Sequence, residues 1–209
     1  MIQPSPRYPD RTLVIPPVYA GSVRLYTAMS MFGGVAFDTE VRWDKRRKES
    51  HRTIIGGANG PQMLTVPVVK PEHYHGTTVG DIQVSDHGHW WSLHFGALES
   101  AYGRTPYFEY YADELAAAYT GHIDSLCELD LILHRFACRV LGLNDMSGCH
   151  ISNPVGIESV TDPIAELPYW QVWSDRFGFQ PGLSVLDLIF SEGPAAILHL
   201  HRNANFQSI

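Results

Sequence analysis

Residues 45–52 read Lys-Arg-Arg-Lys-Glu-Ser-His-Arg and place five of the chain's 15 Lys and Arg side chains in one short stretch of a protein whose formal net charge is −7. A local cationic site on an acidic molecule suits a small anion carrying one or two phosphates or a carboxylate. Nucleic acid would need a positive face that holds many phosphates, and the overall field repels polyanions. Lys45, Lys48, His51 and Arg52 are the candidate anion ligands. The competing reading of such a run is a solvated loop or a strand edge guarded by lysines. Further on, Asp86-His87 precedes a helical segment carrying His94. A carboxylate beside an imidazole can orient it as a general base, so Asp86, His87 and His94 are the candidate proton carriers. Asp86 could equally serve as a helix cap. The same segment closes on Tyr102-Gly103-Arg104, where a phenol and a guanidinium could face a ligand or could be a core ring and a surface charge.

The 11 histidines invite a metal reading at His87-x-His89 with His94. His94 shares a helical face with Trp91 and Leu98, which favours a packed ring over a ligand, so neither a metal nor a cofactor is expected. Nucleotide and hydrolase signatures are missing: no Gly-x-Gly-x-x-Gly follows the first strand, and there is no phosphate-cradling Gly-Lys-Ser/Thr loop, His-Glu-x-x-His or Gly-x-Ser-x-Gly.

These side chains need a scaffold, and the periodicity supplies one. Thr12–Ile15 reads as a buried strand stopped by Pro16-Pro17. A helix capped by Ser22 runs to Phe32 with Gly33-Gly34 as its stop, and Val35–Asp38 follows as a second strand. Such a strand-helix-strand unit is parallel, and ligands of open α/β sheets gather at the C-terminal ends of their strands. Backbone N–H groups at Gly21-Ser22 then join Tyr19 and Ser22 to the candidate ligand site. Arg52–Ile55 and Gln62–Val69 flank Asn59-Gly60, a hairpin signal in which both turn residues take positive φ. Residues 79–84 suggest one more short strand. Helical patterns cover 89–102, 107–119 and 125–141, the last with a Ser125/Glu128 capping box and Gly142 as its stop. Residues 143–181 show no periodicity, and a final helix runs from Ser184 to Gly193-Pro194.

The expected class is therefore α/β: a mixed sheet opening with a strand-helix-strand unit, helices concentrated in 89–141, a loose tail over 1–10 and a single domain over 11–209. At 209 residues and 44% hydrophobic content the chain can bury a core. No window approaches the roughly 18 apolar residues of a membrane span. The N-terminus lacks the apolar region of a signal peptide, and three scattered cysteines point to a reducing compartment, so a cytoplasmic location is expected. Cys127 and Cys138, 11 residues apart on one helix face, read as small buried hydrophobes.

Four segments, in this order, carry a resemblance. They are Trp43–Arg52, the turn through Gly60 with Leu64-Thr65-Val66-Pro67, His89–Leu115 with its Ala-Tyr-Gly-Arg-Thr-Pro-Tyr-Phe-Glu-Tyr-Tyr core, and Leu183–Pro194. Together they resemble the WbqC-like family over roughly residues 12–194. The resemblance implies a bacterial protein from surface-polysaccharide gene clusters and an amino-acid or acyl transfer onto an amino sugar. Of the family's basic segment, Arg52 carries over, and His51 stands where Asn is frequent. The region after Leu143 looks shorter than in many members, which carry a Tyr-x-Gln there. The leading expectation is a transferase acting on a phosphate-containing activated small molecule, with Lys45, Lys48 and Arg52 on the anion. The alternatives are a non-catalytic anion-binding or regulatory protein, and a metal-dependent hydrolase on His87, His89 and His94.

Overall fold

A computed structural model describes residues 6–73, 75–160 and 164–206. The first strand, β1 (Tyr8–Ile15), starts four residues earlier than periodicity suggests, so Tyr8–Asp10 are not a tail; residues 1–5 of the expected tail lie outside the described residues. Helix α1 (Val23–Met29) follows, capped as expected by Ser22, whose Oγ accepts the Leu25 N–H at 3.3 Å. It is shorter than the pattern suggests. Ser30 turns its hydroxyl back to the Thr27 carbonyl at 2.8 Å, and the chain leaves directly into β2 (Phe32–Phe37). Gly33 and Gly34 therefore sit inside β2 instead of stopping the helix. A Cβ on Gly33 would lie 1.8 Å from the Pro9 carbonyl oxygen, so the close approach of β1 demands glycine there.

β1 pairs in parallel with β2 through Leu13↔Val35 and Ile15↔Phe37. Its other edge pairs in parallel with β5 (Pro154–Gly156) through Thr12↔Pro154 and Val14↔Gly156. The sheet order is β2-β1-β5, with β1 in the centre. The two remaining strands, β3 (Arg52–Gly57) and β4 (Gly60–Thr65), form a separate antiparallel hairpin, so the parallel and antiparallel pairings occupy two sheets. Only Gly60 of the Asn59-Gly60 pair has positive φ, at 98°. The corner is closed by a glycine instead of by two left-handed residues. Residues 79–81 form a single helical turn where a strand was expected, because Thr78 and Asp81 satisfy each other's backbone in a capping box.

Helices α2 (Trp90–Tyr102), α3 (Phe108–Ala116) and α4 (Leu126–Leu141) match the periodic segments. Gly142 ends α4 at φ 68°, and Cys127 and Cys138 are both buried on it. Short α5 (Ser174–Phe177) and β5 occupy the region read as irregular. After α6 (Val185–Glu192), Pro194 starts a new turn, and α7 (Ala196–Asn205) continues where a stop was expected. Helices therefore also gather at the C-terminus. One continuous core joins Leu13, Tyr26, Ile55, Leu98, Leu129, Leu133 and Phe190, taking a side chain from nearly every element. No helix among the described residues is long and apolar enough to cross a membrane.

Candidate functional site: a crevice at the end of the parallel sheet

The turn from β1 into α1 is the structural focus. Ala20 holds φ 43°, one of two non-glycine residues with positive φ among the described residues. Its carbonyl accepts hydrogen bonds from Thr53 Oγ1 and Ser184 Oγ, both at 2.8 Å, which fix the strained residue between β3 and the start of α6. The same three segments are laced by backbone bonds: Tyr19 N to Glu49 O at 2.9 Å, Ser184 N to Ile54 O at 2.7 Å and Val185 N to Gly21 O at 2.8 Å. Residues more than 100 positions apart are thereby held as one surface.

Above that surface lies a crevice of about 450 Å³, within the roughly 300–1,000 Å³ of small-molecule sites. Gly21, Ser22, Arg24 and Leu25 form one wall; Glu49, Arg52, Thr53 and Ile54 form the second; Ile157, Val160 and Ile164, beyond the end of β5, form the third. β1 sends its connection to β2 on one side while β5 lies on the other, so the crevice opens where the connections diverge. In open α/β sheets that is where ligands bind. Its chemistry is divided: an aliphatic wall faces two guanidinium groups and one carboxylate. Arg52 Nε is buried with no hydrogen-bond partner, and Nη1 reaches only the Met63 sulfur at 3.9 Å. Beside the crevice, Glu166 Oε1 accepts the Gly182 N–H at 2.8 Å. Burial raises its carboxyl pKa, and Arg24 acts to lower it.

Of the residues singled out from sequence, Ser22 and Arg52 line this crevice. The others are dispersed. Lys45 lines a separate cavity of about 500 Å³ with Trp43, Arg42 and Arg47. Lys48 is exposed on a single helical turn and lines neither cavity. Arg46 is turned onto Asp44 at 3.0 Å, and those hydrogen bonds hold the Asp44 carboxyl down at about 2. His51 is buried against Trp43 with ring centroids 5.8 Å apart; burial, then the Arg52 charge, lowers its pKa. The run at 45–52 is thus several environments and not one patch.

Tyr19 is fully buried, and its hydroxyl meets His94 Nδ1 at 2.8 Å and Tyr119 Oη at 3.0 Å. Burial pulls His94 down to about 4 against an opposing hydrogen bond to the Thr65 backbone, so the ring is neutral at ordinary pH. Asp86 and His87 are exposed and do not line the crevice. Asp86 makes no capping bond to the helical turn it precedes, and the position before α2 is taken by His89 at φ 47°. Among the described residues no group of three or more His, Cys, Asp or Glu is placed to hold a metal, so His87, His89 and His94 do not assemble into a centre. Arg104 is exposed and does not line the crevice. Tyr102 is fully buried; its hydroxyl accepts the Gly56 N–H at 3.0 Å and bonds Asp187.

Asp187 marks a second buried centre beneath β3. It is 2% exposed, accepts the Tyr169 hydroxyl at 2.7 Å and is bonded by Gln171. Burial outweighs those bonds and raises it to about 6. A Cβ on Gly56 would sit 3.2 Å from Asp187 Oδ2, so a small residue lets the carboxyl pack under the strand. Tyr169-Trp170-Gln171 is the Tyr-x-Gln pattern that seemed lacking after Leu143. Arg24, Glu49 and Asp187 escaped sequence reasoning; the only available signal for Asp187 was an acidic residue in the otherwise apolar run Val185–Phe190.

No curated protein and no solved structure matches the chain. The WbqC-like protein family matches residues 34–157, which span the hairpin, α2, α3, α4 and β5. With more than half its length in that match, the chain belongs to the WbqC-like protein family.

Proposed function

We propose that this protein binds a phosphate-bearing activated small molecule in the crevice and transfers an acyl or aminoacyl group to an amine on it, as in modification of a nucleotide-linked amino sugar. The observation that carries this reading is the pairing of Arg24 and Arg52 with an aliphatic wall at the divergence point of the sheet. Guanidinium groups grip phosphate through paired N–H bonds, and the buried Arg52 Nε has a donor to spare. The apolar wall of Ile157, Val160 and Ile164 suits an acyl chain. In the transfer, the amine nitrogen attacks the acyl carbonyl carbon and a C–N bond forms. The bond to the donor's leaving group breaks and takes its electron pair. The amine proton passes to Glu49, the acidic residue among the described lining side chains. No protein nucleophile is needed, since a held amine is reactive once its proton has an acceptor.

A second reading, a non-catalytic small-anion receptor, is favoured by one observation: Asp86, His87 and His94 stand outside the crevice. The two are separated by a thermal-shift screen with inorganic pyrophosphate, a nucleoside diphosphate and a nucleotide-linked amino sugar, followed by a turnover assay with an acyl donor. A ligand at 100 times its Kd stabilises by about 2.7 kcal/mol, a readily measured rise in Tm. Arg52→Ala should abolish that rise. Binding without turnover selects the receptor, and no stabilisation by any phosphate compound removes both readings.

A further inference from the structure

A third cavity, of about 210 Å³, lies where α2 begins and shares no lining residue with the crevice. Trp90 and Trp91 meet there edge to face, with centroids 6.1 Å apart and planes at 85°. Asp86, Ser85 and Asp124 supply the polar lining. We propose that this cavity is a binding site for a small hydroxylated organic cation, an amino alcohol or its N-methylated form.

Two indole rings beside two carboxylates is the composition that recognises an ammonium group: ring faces attract the cation through their quadrupole, and the carboxylates neutralise it. The net charge of −7 adds a favourable field for a cation. Neither aspartate is consumed by the fold. Asp86 makes no capping bond, and Asp124 binds the neighbouring strand through its backbone carbonyl, which accepts the Val84 N–H at 2.7 Å. An independent sign comes from Trp90, which is 5% exposed and whose Nε1–H is buried without an acceptor. Burying an unsatisfied donor costs about 1–3 kcal/mol, and a ligand oxygen that reaches the N–H as the ring shifts on binding recovers that cost. A bare ammonium has no such oxygen, whereas a hydroxyl close to the nitrogen does.

The backbone around the cavity is shaped for the rings. Gly121 has φ 77°, and a Cβ on it would lie 2.5 Å from the Trp91 ring, so the indole packs flat against a bare backbone. His89, at φ 47°, sets its ring edge-on to Trp91 at 5.1 Å. Strain of this kind beside a cavity is where binding sites concentrate.

The test uses three probes on the intact chain, by calorimetry and by the Trp90 indole N–H resonance. Choline carries both cation and hydroxyl, tetramethylammonium carries the cation alone, and 3,3-dimethylbutan-1-ol is the neutral carbon isostere of choline. Choline should bind at least about tenfold more tightly than the isostere, a step of about 1.4 kcal/mol, and should shift the Trp90 resonance while tetramethylammonium leaves it in place. The double variant Asp86→Asn, Asp124→Asn should keep its Tm and lose choline about tenfold. Equal binding of choline and its isostere, or no heat and no shift at about 10 mM choline, overturns the proposal. The isostere comparison needs no variant, so a poorly folded mutant does not protect the idea.

Discussion

Asp187 and Asp130 are both buried carboxyls on helices, at 2% and 0% exposure, and their surroundings differ in kind. Asp187 accepts from Tyr169 and is bonded by Tyr102 and Gln171. Asp130, on α4, has no hydrogen-bond partner at either carboxyl oxygen, although its charge acts on Tyr19, Tyr26 and Tyr119. Burial raises the pKa of both carboxyls. The difference teaches what each is for. Asp187 is an acceptor around which a loop, a strand and a helix converge, whereas Asp130 carries the desolvation cost with no visible return.

The sharpest way to break this comparison is Asp187→Ala. Removing the shared acceptor leaves the Tyr169 and Tyr102 O–H donors without their carboxylate, although Tyr102 still accepts the Gly56 N–H, so urea unfolding should show a loss of about 4 kcal/mol, and crevice binding should weaken with it because β3 loses the carboxyl packed under Gly56. A loss under about 1 kcal/mol would place Asp187 with Asp130.

The next largest effect is in pH. The folded Asp187 carboxyl, at about 6, lies above its ordinary value of 3.8, so the native state holds the proton more tightly than the unfolded chain. Its contribution is full below pH 3.8 and is lost as pH rises through about 6. Over that window the unfolding free energy should fall by about 3 kcal/mol relative to Asp187→Asn, in which the slope disappears. Smaller changes should follow at Ala20. Thr53→Val or Ser184→Ala removes one of the two hydroxyls on its carbonyl and should cost about 1–2 kcal/mol, while Ala20→Gly should relieve strain and gain up to about 1 kcal/mol in thermal melts. Smallest of all, Asp130→Asn should stay within about 1 kcal/mol of the original protein or exceed it, since no bond is broken. A large loss there would reveal a partner for Asp130, such as an internal water.

How much of this was legible in the sequence depended on the range of the determining contacts. Helix α4 could be read whole, because Ser125, its apolar stripe and Gly142 act within a few residues. The strand-helix-strand opening and the hairpin were equally local. β5 is three residues long and too short for any periodicity; it is a strand only because β1 offers an open edge. Helix α7 was missed because Pro194 reads as a stop and equally suits a helix start. At the site, Arg52 and Ser22 could be named from type and position. Arg24 and Glu49 had no signal apart from the chain's return to the β1–α1 turn. Asp86 beside His87 showed the opposite failing: adjacency in sequence did not bring them into the crevice.

The brevity of β5 has a consequence in time. Three register pairs on β1 hold the strand from which Ile157 and Val160 extend to form the third wall, whereas β2 is tied to β1 along most of its length. Short peripheral strands open by local fluctuation at a fraction of the global unfolding free energy. In native-state hydrogen exchange, Val155 should therefore exchange much faster than Ala36, whose N–H faces β1 in the parallel register. The wall would then breathe while the opposite side of the sheet stays closed, making opening of the crevice a motion separate from unfolding and setting the clock on which a ligand can enter and leave.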